Sequence, residues 1–321
     1  MKIAFRVDGN KKLGMGHINR CKIISKNLEK NNVTCIFITQ FRQIYEHLQS
    51  EGFVVFLIKN KNESKQVNHI LKKEYCSKLV IDSKRKSVGE LIKKLDKQFK
   101  IILIDNLHHS NYADLVIIPS VENPKKRYSQ NSIVGTPYVL HGVEKPFKSI
   151  RQKNNSILVS MGGSDKYNIT QKIISSFRNN NNDFDLIVAL GKFYDKEKQI
   201  LKIINNDNRF HIVKNSSLVT LMQQSIVGVF AFGITVYEAA VCSLPSFVLS
   251  HSDENDYSAK LVAQYGWISY VGKHNEINYD DVVKNILDLM NNKKELQKMK
   301  KACLQIDGLG PLRVAEHIQK L

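Results

Sequence analysis

Several kinds of protein are excluded by what this chain has little of. Its five cysteines, Cys21, Cys35, Cys76, Cys242 and Cys303, include no C-x-x-C pair. That removes the dithiol redox and zinc-ribbon patterns and leaves buried, reduced thiols as the reading, consistent with a cytoplasmic protein. Acidic residues number 30 against 48 lysines and arginines, a formal charge of +18. No basic helix with interleaved aromatics accompanies that excess, so a specific nucleic-acid partner is not expected. A lysine-rich solvated surface explains most of the charge, and weak attraction to an anionic membrane surface is the remaining use for it. The longest apolar stretch, Ile226 to Leu249, is interrupted by Glu238 and Pro245 and reads as strand, turn, helix and strand rather than as a membrane span. A strand pattern starts at Lys2 with no signal peptide before it. No Gly-Lys-Thr of the Walker type, no G-x-G-x-x-G fingerprint and no compact His/Cys/Asp metal cluster occurs, so neither a cofactor nor a metal is called.

What is present is a rhythm. Short β-rich apolar runs alternate with amphipathic helical stretches twice over. In the first half the runs are Ile3–Val7, Val33–Thr39, Phe53–Ile58, Leu79–Asp82, Ile101–Asp105 and Leu115–Pro119. The rhythm lapses over residues 123–155, which hold three of the six prolines, and resumes from Ser156. Runs such as Ile101-Ile102-Leu103-Ile104 imply burial on both faces and hence parallel sheets flanked by helices. The expected architecture is α/β: an N-terminal doubly wound, Rossmann-like domain over 1–147, a second over 148–306, and a C-terminal helical segment, 307–321, packing back on the first.

Four loops follow apolar runs, where open α/β sheets place their ligands. The first carries Arg6-Val7-Asp8-Gly9 and then Gly14-Met15-Gly16-His17 with Arg20-Cys21. Glycines let the backbone turn and a ligand approach, and His17 in the first turn of a helix could accept a proton or simply cap that helix. The second is Gly162-Gly163-Ser164-Asp165, which could offer backbone N–H groups and a hydroxyl to a diphosphate at a helix N-terminus, or serve as an ordinary turn. The third is Phe232-Gly233-Ile234-Thr235 with Glu238 one turn on. Here backbone N–H groups could hold phosphate and the carboxylate could accept from ribose hydroxyls, or Glu238 could close a capping box with Thr235. The fourth, Ser250 to Tyr257, crowds polar groups including Asn255 into a loop.

Taken together these motifs resemble the UDP-sugar hydrolases of pseudaminic-acid biosynthesis and the related spore-coat polysaccharide proteins, enzymes with two facing Rossmann-like domains, the GT-B fold. The resemblance runs through Arg6-Val7-Asp8, Gly14-Met15-Gly16-His17 and Arg20-Cys21, through Val80-Ile81-Asp82-Ser83 and Leu103-Ile104-Asp105-Asn106, and on to Gly162-Gly163-Ser164-Asp165, Gly233-Ile234-Thr235 with Glu238, Asn255 with Ala259, and Asp307-Gly308 with Gly310 and Arg313. It departs from the family pattern at Lys84, where tyrosine is usual, at Phe232-Gly233-Ile234-Thr235, where the form is Gly-Gly-Thr-Thr, and at Asp256 after Asn255, where the pair is Asn-Gln. The resemblance implies hydrolysis of a UDP-linked 2,4-diacetamido-2,4,6-trideoxyhexose to UDP and free sugar with inversion, by a monomer without cofactor. It casts His17 as general base and Asn255 as the residue that positions water or an acetamido group. Arg6, Asp8, Gly14, Gly16, Arg20, Asp82, Gly162, Gly163, Ser164, Gly233, Ile234, Thr235 and Glu238 would bind the UDP-sugar. Asp82 and Asp105 stay open as alternative carboxylates. A glycosyltransferase using a UDP-sugar donor is the competing expectation.

Overall fold

The computed structural model describes residues 1–8, 15–83, 85, 87–144, 155–214 and 216–321. Gly9, Gly14 and Lys84, singled out above, lie outside the described residues. The chain divides into two units, one of Met1–His141 with Leu309–Leu321 and one of Gly142–Gly308.

In the first unit, β1 (Lys2–Val7), β2 (Thr34–Thr39), β3 (Val54–Leu57), β4 (Lys78–Asp82), β5 (Lys100–Ile104), β6 (Leu115–Ile118) and β7 (Ser132–Val134) form a sheet in the order β3-β2-β1-β4-β5-β6-β7. Every pairing is parallel. Between the strands run α1 (Gly16–Glu29), α2 (Arg42–Ser50), α3 (Glu63–Lys73) and α4 (Val88–Lys93). The apolar strands do what their composition demands: Val80, Ile102, Leu103 and Ile104 are fully buried, with helices on both faces of the sheet. Each such side chain contributes about 1.5–3 kcal/mol of burial. Chain order reverses between β1 and β4, whose register sets Val7 beside Asp82, so a crevice opens at their carboxyl ends.

Two details depart from the sequence reading. β7 lies inside the stretch expected to be an irregular crossing. It has three residues flanked by Asn131 and Gly135, too few for alternation to register, and it forms only because β6 offers a free edge. The amphipathic pattern over 87–98 predicts a helix along its whole length, whereas α4 stops at Lys93 and the chain turns through Leu95 toward β5.

The terminal helix, α12 (Gly310–Lys320), completes the first unit. Val314, Ala315 and Ile318 are fully buried in one core with Ile18, Ile24 and Leu28 of α1. Gly310 lies so close to Val139 that a Cβ would sit 2.3 Å from its carbonyl oxygen. Lys78 donates from Nζ to the carbonyls of Ile318 and Gln319 at 2.7 and 2.8 Å. A cation there complements the negative helix end.

The second unit repeats the plan with β8 (Ser156–Ser160), β9 (Asp185–Leu190), β10 (Phe210–Lys214), β11 (Val227–Ala231), β12 (Ser246–Ser250) and β13 (Ile268–Lys273), all parallel, in the order β10-β9-β8-β11-β12-β13. Its helices are α5 (Ile169–Asn179), α6 (Glu197–Ile204), α7 (Leu218–Gln224), α8 (Ile234–Val241), α9 (Asp253–Ala263), α10 (Tyr279–Asn291) and α11 (Lys293–Cys303). Here the order reverses between β8 and β11, so the Gly162 and Gly233 loops flank that crevice. Among the described residues no helix is long and apolar enough to cross a membrane.

Candidate active site

In the first unit, β4 delivers Asp82 to the sheet's carboxyl edge and α1 opens over it. His17 is the second residue of α1, and Arg20 follows one turn later on the same face. His17 Nδ1 lies 2.5 Å from Asp82 Oδ1. Arg20 forks onto the same carboxylate, Nε to Oδ2 at 2.9 Å and Nη2 to Oδ1 at 2.8 Å. The Asp82 side chain is fully buried, while that of His17 keeps 17% of its surface open. An ionised carboxylate only accepts, so Nδ1–H donates to Asp82 and Nε2 is left as the acceptor nitrogen of the ring. Burial works against the charge of Arg20, but the Asp82 carboxylate outweighs it and holds the guanidinium above its usual range. Burial pushes the neighbouring Cys21 thiol far up, with the Asp82 charge adding to the effect, so Cys21 is packing and not a nucleophile. All five cysteines are buried.

Of the two carboxylates left open by the sequence, Asp82 is the one that meets His17. Asp105, in left-handed backbone at the end of β5, lies 3.9 Å from Arg20 Nη1. Arg6 and Asp8 sit deeper, 1% and 2% exposed. Arg6 donates to Asp8 Oδ1 at 2.6 Å and to Glu63 Oε1 at 2.8 Å. Arg85 joins them, bonding Glu63 at 3.0 Å and Gln40 at 2.8 Å. This ion network ties β1, β2 and α3 together beneath the strand ends. Nothing in the sequence pattern connected Glu63 or Arg85 with Arg6, because they are separated by 57 and 79 residues of chain.

In the second unit the two glycine loops differ in a way their compositions hide. The α5 N-terminus is already occupied. Asp165 is 6% exposed and accepts from the Ile169 and Thr170 N–H groups at 2.9 and 2.8 Å. The expectation that the Gly162-Gly163-Ser164 loop presents a free helix end is therefore corrected, since a carboxylate cap neutralises that end. Gly162 instead provides a left-handed turn, with φ +80°. Gly191, just after β9, packs beneath the loop, where a Cβ would come within 2.2 Å of the Gly162 carbonyl oxygen. Gly191 was missed in the sequence because the contact joins two loops; its place after an apolar strand was the available signal.

The α8 N-terminus is the open one. Gly233 is its cap residue and no side chain caps it; the Val236 N–H turns back to the Gly233 carbonyl at 3.2 Å, and the N–H groups ahead of it could take an anion. Ile234 is 41% exposed there. Glu238 does not close a capping box with Thr235. Its Oε1 accepts from the Gly142 N–H at 3.2 Å. Burial pushes its carboxyl above the usual carboxylate range, opposed by that hydrogen bond. Asn255 belongs to the first turn of α9 rather than to a loop, and its N–H donates to the capping Ser252 Oγ at 3.2 Å. Next to it, Asp256 accepts from the Tyr270 hydroxyl and from Lys260 Nζ. The polar crowd after β12 is thus spent in good part on helix capping and on anchoring Tyr270. Tyr167 stacks on His274 with ring centroids 4.0 Å apart. No cluster of His, Cys, Asp and Glu suited to a metal ion lies among the described residues.

Two parallel sheets of matching strand order, each with its loops gathered at the reversal point, define a chain of the GT-B fold. Known structures agree: MurG of Acinetobacter baumannii superposes with a TM-score of 0.75 over 100% of this chain and 99% of its own, at 11% identity. The spinosyn rhamnosyltransferase SpnG complexed with thymidine diphosphate does so at 0.71 over 99% of each, at 10% identity. In sequence, the chain is 23% identical to the spore coat polysaccharide biosynthesis protein SpsG of Bacillus subtilis, covering 100% of this chain and 98% of that one. It is 21% identical to the UDP-2,4-diacetamido-2,4,6-trideoxy-beta-L-altropyranose hydrolase of Campylobacter jejuni, covering 83% and 98%. An uncharacterized protein of Methanocaldococcus jannaschii is 28% identical over 81% of this chain, which spans only 59% of that protein's length. No family model matches the chain.

Proposed function

We propose that this chain is an enzyme acting on UDP-linked sugars in glycan biosynthesis, and that within this class it is a hydrolase. It releases UDP and free sugar from a UDP-linked 2,4-diacetamido-2,4,6-trideoxyhexose. The observation that carries the reading is the His17–Asp82–Arg20 constellation, in which a buried carboxylate fixes the imidazole tautomer and leaves one ring nitrogen able to take a proton. The names of the Campylobacter and Bacillus relatives support the substrate class.

In the mechanism we infer, His17 Nε2 removes a proton from water as the water oxygen bonds to the anomeric carbon. The anomeric C–O bond breaks, its electron pair passes to the β-phosphate oxygen, and UDP departs with inversion at carbon. Asp82 holds the ring and balances the imidazolium that forms, the role a buried carboxylate plays behind a general base. Arg20 holds the same carboxylate in place by bonding both of its oxygens. The first-turn N–H groups and hydroxyl of Gly233, Ile234 and Thr235 stabilise the charge developing on the leaving diphosphate, and Glu238 accepts from the ribose hydroxyls. Gly162, Gly163 and Ser164 shape the diphosphate wall through backbone approach rather than through a helix dipole. Asn255 positions the water or an acetamido group.

The test is mass spectrometry of products from the purified chain and a panel of UDP-diacetamido sugars with no acceptor present. Free sugar and UDP, with one solvent oxygen in the sugar, are expected. UDP release that depends on an added acceptor hydroxyl would replace the hydrolase by a transferase, a reading the MurG and SpnG folds would accommodate.

A further inference from the structure

Away from these loops, the free edge of the first sheet carries a groove. β3 is the terminal strand, and the groove runs between it and α3, enclosing about 670 Å³. Its apolar lining is Phe56 and Leu57 from the strand, Ile58 just after it and Ile70 from the helix. Its rim is cationic. Lys65 and Lys73 stand two helical turns apart on one face of α3, with His69 between them, and Lys59 and Lys61 close one end. No acidic residue lines the groove. The nearby carboxylates are spent elsewhere, Glu63 on Arg6 and Arg85 and Glu74 on Lys2. Among the described residues, none of the four ammonium groups is in an ion pair.

Four unpaired lysines this close repel one another, and an anion relieves that repulsion. A purely ionic ligand has no use for the apolar lining, and the groove has neither a glycine nest nor an exposed aromatic platform for a nucleotide chain. An apolar residue of the lining is instead exposed among the cations, Leu57 at 40%. Apolar lining with an exposed leucine among lysines suits the boundary between lipid headgroups and acyl chains, where the stems bury and the ammonium groups reach phosphate.

We propose that the β3–α3 groove is a docking site for the headgroup and upper acyl chain of an anionic phospholipid, which brings the first unit to a negatively charged bilayer surface. The inference is independent of the reading of the active site. Each lysine near an anionic bilayer is worth about five-fold in partitioning, so losing four costs at least about a hundred-fold.

The experiment is flotation of the full chain with vesicles of phosphatidylcholine alone or with phosphatidylglycerol. It compares the wild type with K59Q/K61Q/K65Q/K73Q and with K284Q/K293Q/K294Q/K301Q, which removes the same charge from the other unit. Thermal melts verify that each variant is folded. We expect wild-type binding only to the anionic vesicles, its loss in the groove variant, its retention in the control variant, and about a ten-fold weakening by Leu57→Asn from lost apolar burial. Equal loss in both quadruple variants would reduce the effect to net charge and overturn the site. So would absence of wild-type binding, indifference to Leu57→Asn, or displacement of the vesicles by an acidic peptide that binds the groove as tightly.

Discussion

The replacement of Asp82 by asparagine separates positioning from packing. In the wild type its two oxygens accept from His17 Nδ1 and from two nitrogens of Arg20, and no part of the side chain reaches solvent. Asparagine keeps the volume and removes the charge. Breaking a buried pair costs about 3–5 kcal/mol, but the Arg20 side chain is 24% exposed and water can take over part of its solvation, so about 2–3 kcal/mol is the reasoned loss. At about 2–4 °C per kcal/mol for a domain of this size, the midpoint should fall by about 5–10 °C, leaving a folded enzyme at assay temperature. The catalytic loss should be larger. The asparagine amide can present N–H to Nδ1, which favours the wrong tautomer, and a general base is worth about 10² to 10⁴ in kcat. The assay is UDP release from the substrate found in the product screen, with UDP affinity measured by calorimetry. Asp82→Asn should lower kcat by about two orders of magnitude with UDP affinity within about three-fold. His17→Ala should do the same, and the double variant should be no worse than His17→Ala alone, because Asp82 acts through the ring it holds. Turnover unchanged by His17→Ala, or losses that multiply in the double variant, would refute the dyad.

Three further outcomes follow from the second unit. Asp165→Ala removes the α5 cap and should cost about 0.5–2 kcal/mol in chemical unfolding while leaving UDP affinity nearly unchanged, because the open helix end is that of α8. Gly191→Ala forces a Cβ onto the Gly162 and Gly163 carbonyls; about 1–3 kcal/mol of destabilisation is expected, together with a loss of UDP affinity by calorimetry. Glu238 has a raised folded pKa, so its contribution to stability is whole below the usual glutamate range and is lost as pH rises through the raised value. Glu238→Gln should therefore be more stable than wild type near neutral pH, with the gain fading in acid, and should bind UDP more weakly; a variant no more stable at neutral pH would contradict the burial argument.

Much of the candidate site was legible as residue types at strand ends. His17, Arg20 and Asp82 each follow or end an apolar run, and open α/β sheets gather such positions at one edge. The choice between Asp82 and Asp105 was not legible, because both end neighbouring strands with the same local pattern. Only the rotation of α1 about its axis brings His17 and Arg20 over β4. The glycine loops misled in the opposite direction. Gly162-Gly163 looked like a phosphate cradle at a helix end, yet Asp165 spends that end on a cap, and the Glu238 carboxylate found the Gly142 N–H instead of its own helix start.

The amino-acid sequence by itself determined the repeating strand–helix units, the parallel sheets and the edge at which the loops collect, since these follow from local periodicity and from burial of apolar strands on both faces. Tertiary structure alone decided which carboxylate orients His17, which of two helix ends stays open for an anion, and how α12 completes the first unit through Gly310 and Lys78. Those outcomes depend on contacts between residues far apart in the chain, whose geometry is set by packing and leaves no periodic trace.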